Sequence, residues 1–145
     1  MKSTFLAALA PLALASCSLF APAPPKYDAV KLADDLVVRD LVVPDSGPRA
    51  KSGDLVTIHY RGRLEDGTVF DSSYERGVPL TFELGAGQVP EGLDRGLVGL
   101  RERGRRKLVV PYALGYKEEG VPGIVPAYAK LIFDLELLEI GAPAL

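Results

Sequence analysis

The amino-acid sequence contains very few of the side chains that carry covalent or metal chemistry. Its 145 residues include one cysteine, Cys17, one histidine, His59, and no tryptophan. A single cysteine excludes an intramolecular disulfide and a thiolate cluster, and a single histidine excludes a multi-histidine metal site. His59 lies between Ile58 and Tyr60 in a strand pattern, where a structural histidine is more common than a catalytic one. We therefore expect no metal, no cofactor and no Cys–His or Ser–His nucleophile.

The chain also lacks a large excess of charge of either sign. It has 17 basic and 19 acidic side chains, for a formal net charge of −2. Binding to nucleic acid normally requires a general basic field, whereas the one basic run, RERGRRK at residues 101–107, is typical of a solvated turn. No nucleic-acid partner is therefore expected.

Long apolar runs are missing except near the N-terminus. Residues 5–14 form an apolar run that is too short to span a bilayer as a helix, and Leu14-Ala15-Ser16-Cys17 follows it. This tetrapeptide resembles the bacterial lipobox, in which a peptidase cuts before a cysteine whose sulfur has been diacylated. We predict that residues 1–16 are a lipoprotein signal peptide and that Cys17 is the lipidated first residue of the mature protein. The alternative is an ordinary secretory signal with a chance cysteine.

The segment after Cys17 is rich in proline. Pro22, Pro24 and Pro25 favour an extended, polyproline-like spacer and disfavour a helix. Residues 17–35 are therefore interpreted as a lipidated cysteine and a tether, and residues 36–145 as one globular domain. The predicted location is extracytoplasmic, on a membrane anchor that faces the periplasm or the cell surface.

Alternating patterns predict most of the domain to be extended. Two runs flank the turn Glu65-Asp66-Gly67 as a hairpin, and in the first run Val56, Ile58 and Tyr60 share one face. Leu80, Phe82 and Leu84 share a face in a later strand. Further strands are predicted at residues 36–43, 105–110 and 131–138.

One short helix is predicted between the strands. Pro90 suits a first helical position, and Leu93, Leu97 and Leu100 recur at the spacing of one helix face. Gly92, Gly96 and Gly99 lower the helix propensity, so this helix depends on packing, and the glycines allow a close approach to the strands. The predicted fold class is α+β, with an antiparallel five- to six-stranded sheet wrapped around one short helix.

Two segments resemble the peptidyl-prolyl cis-trans isomerases of the FKBP type. They are HYRGRLEDGTVFDSS at residues 59–73 and LGYKEEGVPGIVPAYAKLIFDLELLEI at residues 114–140. The likeness extends from about Leu36 to Ile140 almost without gaps. It implies that the domain accelerates rotation about Xaa-Pro bonds inside an apolar pocket, without a nucleophile.

The resemblance also implies which residues form the pocket. Tyr60, Phe70 and Phe133 correspond to the residues that form its walls. Tyr116 corresponds to a residue whose hydroxyl meets a substrate or macrolide carbonyl. Asp71 corresponds to a polar residue at the pocket edge, with which Arg76 can pair. Residues implied to bind substrate are Leu80, Val89, Leu93, Val121, Ile124 and Val125. The long loop at residues 111–126 is too apolar for a passive linker and is interpreted as a binding rim.

Three positions depart from the family pattern. Leu93 stands where the pocket floor is commonly a tryptophan, and Lys117 replaces a frequent glycine after the loop tyrosine. Pro90 falls where an isoleucine usually donates its backbone N–H to the ligand, and proline has no N–H. A shift of one residue that gives Val89 this role remains an open alternative.

The leading hypothesis is a monomeric, lipid-anchored isomerase acting on Xaa-Pro bonds of extracytoplasmic polypeptides, with macrolides as further ligands. Pro90 and Leu93 motivate an alternative, a catalytically weak binding module of the same fold for proline-containing segments or a partner protein. A third hypothesis is a purely structural lipoprotein.

Overall fold

The computed structural model describes residues 28–141. They form a seven-stranded antiparallel sheet with the order β1-β2-β6-β7-β3-β4, in which β5 also pairs with β3. The strands are β1 Val30–Lys31, β2 Val37–Val42, β3 Leu55–Leu64, β4 Val69–Ser72, β5 Leu80–Glu83, β6 Arg105–Val110 and β7 Leu131–Gly141. Two α-helices, α1 Ser73–Arg76 and α2 Glu91–Leu97, and two 3-10 helices, Ala33–Asp35 and Tyr112–Leu114, complete the described part.

Strand β3 pairs with three other strands of the sheet. One edge pairs with β7 along its whole length, while the other pairs with β5 at residues 55–58 and with β4 at residues 61–63. Its side chains alternate as the sequence predicts: Val56, Ile58 and Tyr60 are buried on the inner face, and their neighbours are partly exposed. The inner face therefore forms one wall of the core.

Helix α2 covers the inner face of the sheet. Leu93 and Leu97 are buried against it, as their spacing predicts. A Cβ atom added to Gly92 or Gly96 would lie 2.4 Å from a side-chain atom of Val110 or Leu108, respectively. These two glycines therefore let the helix backbone lie directly on β6.

The buried guanidinium of Arg106 fixes the C-terminal end of α2. Its Nη1 donates to the carbonyls of Gly96 and Val98 at 2.8 and 3.0 Å, and its Nε donates to Asp40 at 2.5 Å. A cation at this end satisfies carbonyls that have no partner within the helix and complements the helix dipole. One residue of the basic run predicted to be a solvated turn thus lies in the core.

The antiparallel sheet and the short helix confirm the predicted fold class, with differences in detail. The helix starts at Glu91 with Pro90 as its N-cap, and Gly99, at φ 84°, lies in the turn that follows it. Helix α1 at Ser73–Arg76 is a second helix, where the sequence predicted only one. Ser72 caps α1 by accepting the N–H of Glu75, and Gly77 ends it at φ 69°.

The sheet begins earlier than the predicted domain boundary at residue 36. Strand β1 pairs Val30 with Val38 and Lys31 with Val37, and Asp34 forms an ion pair with Arg95 of α2 at 2.7 Å. Part of the segment assigned to the tether thus belongs to the folded unit. The predicted signal peptide, Cys17 and the proline-rich residues lie outside the described residues. No helix within residues 28–141 is long and apolar enough to cross a membrane.

Candidate active site

A small cavity lies between the inner face of the sheet and the start of α2. Its volume is about 180 Å³, below the roughly 300–1,000 Å³ of pockets that enclose drug-sized ligands. Such a space suits a single residue. Its lining residues are Tyr60, Asp71, Leu80, Gln88, Val89, Pro90, Leu93, Tyr116 and Phe133.

Four aromatic rings from three strands and the long loop stand together at this cavity. The ring of Phe70 meets those of Tyr116 and Phe133 edge-on, with centroids 6.2 and 5.7 Å apart. The ring of Tyr60 lies 6.4 Å from that of Phe133. These are ordinary distances for packed aromatic pairs, so the rings hold one another in place. The four aromatic residues that the resemblance assigns to the pocket thus stand together. Three of them line the cavity, and Phe70 packs against Tyr116 and Phe133.

The absence of a side chain at Gly62 permits this ring cluster. A Cβ atom at Gly62 would lie 2.5 Å from Phe70 Cζ and 3.0 Å from Phe133 Cε1. Both rings therefore occupy the space that any other residue would fill. Sequence reasoning missed this position because a glycine inside a strand pattern shows only that some close approach occurs.

The polar edge of the cavity is a connected group of three side chains. The hydroxyl of Tyr60 donates to Asp71 Oδ2 at 2.5 Å and accepts from Arg76 Nη2 at 2.8 Å. Arg76 also forms an ion pair with Asp71, as the resemblance implies. Burial, followed by the hydrogen bond to Asp71, raises the pKa of Tyr60 above its ordinary value. Tyr60 therefore keeps its proton and remains a neutral donor.

Tyr116 offers a second hydroxyl at the same cavity. Its side chain is half-buried, and burial, followed by the negative charge of Asp71, raises its pKa. No other residue of the described part of the chain forms a hydrogen bond with this hydroxyl. It is thus available as a donor to a bound carbonyl.

The floor and the remaining side of the cavity come from β5, α2 and the turn before α2. Leu93 forms the floor and is 2% exposed. Val89, Pro90 and Leu80 line the sides. Pro90 is at the position where the resemblance places a backbone donor, and Val89 beside it retains an N–H.

The turn before α2 is held by a buried carboxylate. Asp94 of α2 accepts the N–H groups of Gly85 and Gly87 at 3.0 and 3.1 Å. Gln88 accepts the N–H of Glu83 at 3.0 Å and contributes to the cavity wall. Gln88 was not predicted as a site residue, because its place in the cavity wall depends on the path of the turn.

Three residues predicted to bind substrate lie away from the cavity lining. Val121 and Val125 bridge to each other within the long loop, and Val125 is buried in the core. Ile124 is 53% exposed and lines a separate shallow cavity with Leu64. In this structure these residues shape the loop rather than the walls around the rings. Lys117 takes the left-handed conformation, at φ 57°, that the more frequent glycine would adopt readily.

A larger cavity, of about 400 Å³, lies on the opposite face of the sheet. Its lining includes Arg61, Tyr74, Arg105, Asp134 and Glu136. It is charged and lacks an aromatic enclosure, so the smaller cavity is the better candidate site. Among residues 28–141 no group of histidine, cysteine or acidic side chains is placed to hold a metal ion.

Comparison with known proteins agrees with this geometry. Residues 47–138 match the family described as "FKBP-type peptidyl-prolyl cis-trans isomerase". The chain is 47% identical over 109 residues to "Peptidyl-prolyl cis-trans isomerase FPR2" of Saccharomyces cerevisiae, covering 74% of this chain and 81% of the relative. It is 48% identical over 105 residues to "FK506-binding protein" of Neisseria meningitidis serogroup C, covering 72% and 95%.

A solved structure shows the same fold. The crystal structure of AtFKBP13 superposes with a TM-score of 0.73 at 36% identity, covering 79% of this chain and 99% of that one. The predicted family is thereby confirmed. The chain belongs to the FKBP-type peptidyl-prolyl cis-trans isomerases, and its activity is the rotation of Xaa-Pro peptide bonds.

Proposed function

We propose that the chain accelerates Xaa-Pro rotation in extracytoplasmic polypeptides by desolvating the prolyl amide inside the aromatic cavity. The observation that carries this proposal is that the rings of Tyr60, Tyr116 and Phe133 line one cavity with polar groups at one edge. The ring of Phe70 packs edge-on against those of Tyr116 and Phe133. A space of this size takes the proline ring and excludes water from the Xaa-Pro bond that precedes it.

The physical basis is the loss of amide resonance during rotation. The barrier of about 18–20 kcal/mol arises from conjugation between the carbonyl and the nitrogen. The planar ground state has more charge separation than the twisted state, so a water-poor cavity raises the free energy of the ground state more. This rotation forms no bond to the protein and requires no nucleophile.

Two groups orient the substrate in this proposal. The hydroxyl of Tyr116 donates to a carbonyl of the bound peptide, and Asp71 is held at the opposite edge by Tyr60 and Arg76. Because Pro90 cannot donate, one backbone contact is missing, at a cost of about 0.5–1.5 kcal/mol. This missing contact is the observation that favours the alternative, a catalytically weak binding module.

An isomerisation assay on a short Xaa-Pro peptide tests the proposal. We expect kcat/KM to fall about tenfold or more for Tyr60→Ala, which removes a lining ring, and for Phe70→Ala, which removes the ring packed against Tyr116 and Phe133. Tyr112→Ala is the matched control, because Tyr112 is an exposed tyrosine whose ring contacts Tyr128 instead of the cavity. A thermal unfolding measurement on each variant checks that it is folded. Peptide binding without turnover by the wild type would favour the weak module instead.

We further propose that the cavity binds macrolides, because a relative from Neisseria meningitidis carries the name FK506-binding protein. A macrolide larger than the cavity would place one ring inside it and lie across the rim. Inhibition of the peptide assay by FK506, reduced in the Tyr116→Phe variant, is the expected result. An unchanged rate at saturating macrolide would contradict it.

We also propose a lipoprotein form, anchored through Cys17 on the periplasmic or cell-surface side of a membrane. Its support is the sequence alone: an apolar run, the Leu-Ala-Ser-Cys motif and a proline-rich tether. Two acyl chains give stable anchoring where one chain is marginal. Cys17→Ser should abolish incorporation of labelled fatty acid and release the protein from membranes, whereas Ser18→Ala should change neither. A membrane fraction that is unchanged in Cys17→Ser would contradict the anchor.

A further inference from the structure

The hydroxyl of Ser73 contacts the backbone of Tyr60. Ser73 is fully buried at the start of α1. Its Oγ accepts the N–H of Tyr60 at 2.7 Å and lies 3.2 Å from the carbonyl oxygen of the same residue. It also lies 2.8 Å from Nδ1 of His59. One hydroxyl thus meets both backbone polar groups of a cavity residue.

The position of Tyr60 in the sheet explains why this contact is needed. On the edge of β3 that faces away from β7, β5 pairs with residues 55–58 and β4 pairs with residues 61–63. Tyr60 falls between these two ladders. Its N–H and carbonyl point to the gap, and a buried N–H without a partner is costly. The Ser73 hydroxyl takes the place of the missing strand residue.

Helix α1 also holds the other end of the Tyr60 side chain. Arg76, one turn after Ser73, donates to the Tyr60 hydroxyl at 2.8 Å and pairs with Asp71. The guanidinium carbon lies 5.6 Å from the centre of the Tyr60 ring. One turn of helix therefore fixes Tyr60 at its backbone and at its hydroxyl.

We propose that Ser73 is a positioning residue for isomerisation. By holding the backbone of Tyr60, it fixes where the Tyr60 ring and hydroxyl lie in the cavity. This inference rests on the proposed role of Tyr60 in the site. The hydroxyl has one proton, which goes to the Tyr60 carbonyl or to His59 Nδ1, while its lone pairs accept the Tyr60 N–H. His59 is itself stacked on Tyr74 of α1, with ring centroids 4.6 Å apart. The contact therefore binds α1 to β3 at this residue.

Hydrogen exchange tests the contact directly. In Ser73→Ala we expect the amide of Tyr60 to exchange at least tenfold faster, while the amides of Val56 and Gly62 on the same strand keep their rates. In Ser73→Thr, which keeps the hydroxyl, protection of the Tyr60 amide should return. Unchanged protection of Tyr60 in Ser73→Ala would overturn the proposal, whatever the activity.

A double-mutant cycle tests the effect on catalysis. We expect Ser73→Ala to lower kcat about three- to tenfold with little change in KM, the factor that corresponds to one hydrogen bond. In a Tyr60→Phe background the same substitution should lower kcat less, because only the ring is left for Ser73 to position and the hydroxyl is already missing. An equal loss in both backgrounds would overturn the proposal.

A core variant on the same strand is the matched control for lost stability. Ile58→Val removes one buried methyl group two residues from Tyr60 and leaves the hydrogen bonds of Ser73 in place. It should lower the melting temperature as Ser73→Ala does but leave kcat unchanged. A kcat that falls equally in both variants would show a merely structural role for Ser73. If Tyr60→Phe alone has full activity, the role of the Tyr60 hydroxyl fails, while the exchange experiment still decides the Ser73 contact.

Discussion

Individual residues shape the cavity as much by what they lack as by what they carry. The rings of Phe70 and Phe133 fill the space above Gly62, where any Cβ atom would overlap them. The polar edge is equally local, because Tyr60, Asp71 and Arg76 satisfy one another without help from the rest of the chain. The chemistry of the site is therefore set by close packing together with two tyrosine hydroxyls that stay protonated.

Gly62→Ala should narrow the cavity. The added methyl group must displace Phe70 or Phe133, and overpacking of this kind costs about 1–3 kcal/mol of stability. We expect a lower kcat/KM toward Xaa-Pro peptides, with a larger loss for bulky macrolides. Gly53→Ala, with no atom within 4 Å of its Cβ position, controls for the loss of a glycine, although its φ of 95° adds some strain. Full activity in Gly62→Ala would show that the rings have room to move.

The raised pKa values of Tyr60 and Tyr116 predict a stability change at high pH. The folded state holds both protons more tightly than the unfolded chain, in which tyrosine has a pKa of about 10. This contribution to stability is complete below pH 10 and is lost as the pH rises through the folded pKa values. A titration followed by tyrosinate absorbance should show late-ionising tyrosines, and Tyr60→Phe should remove one of them. A single transition near pH 10 for all tyrosines would contradict this expectation.

At the scale of secondary structure, short elements are stabilised by their neighbours rather than by their own propensity. Helix α2 has seven residues, two of them glycine, which is too short and too poor a helix to persist alone. Its leucines pack on the sheet, its glycines admit Val110 and Leu108, and Arg106 binds its last carbonyls. The position of Leu93 at the floor of the cavity therefore depends on these contacts.

The Gly96→Ala variant tests whether the helix propensity of α2 or its packing against β6 has the larger effect on stability. Alanine is the better helix former by about 1 kcal/mol, but its Cβ would lie 2.4 Å from Leu108 Cδ1. We expect the steric overlap to outweigh the gain in helix propensity. The free energy of unfolding, measured with denaturant, should fall by about 1–2 kcal/mol. The double variant Gly96→Ala with Leu108→Val, which makes room, should recover part of the loss. A more stable single variant would show that the helix shifts freely on β6.

At the scale of the whole molecule, the described chain is one sheet closed over one helix, with the cavity at the inner face. The N-terminal residues 30–35 contact the rest of this unit through β1 and through the exposed ion pair of Asp34 with Arg95. Such surface contacts contribute little stability each. The cavity itself lies on β3, β7, α2 and the long loop, so its geometry does not depend on this segment.

Truncation measures where the folded unit begins. A fragment of residues 28–145 should unfold like the mature protein. A fragment of residues 36–145, the predicted domain, should lose about 1 kcal/mol or less and keep its kcat/KM, because it lacks only β1 and surface ion pairs. Chemical unfolding and the peptide assay provide the measurement. A fragment from residue 36 that fails to fold would place the boundary before β1.

The sequence alone determined the strands of the antiparallel sheet and the leucine face of α2, and its resemblance to a known family indicated the four aromatic residues at the site. A period of two or of 3.6 residues fixes which face a side chain takes, and local patterns of this kind survive without knowledge of distant contacts. Tertiary structure alone decided that Val121, Ile124 and Val125 lie apart from the cavity, that Gly62 makes room for two rings, and that Ser73 fills the gap beside Tyr60. These facts depend on strand register and on the path of a long loop, which bring together residues far apart in the chain, and no local pattern encodes such distances.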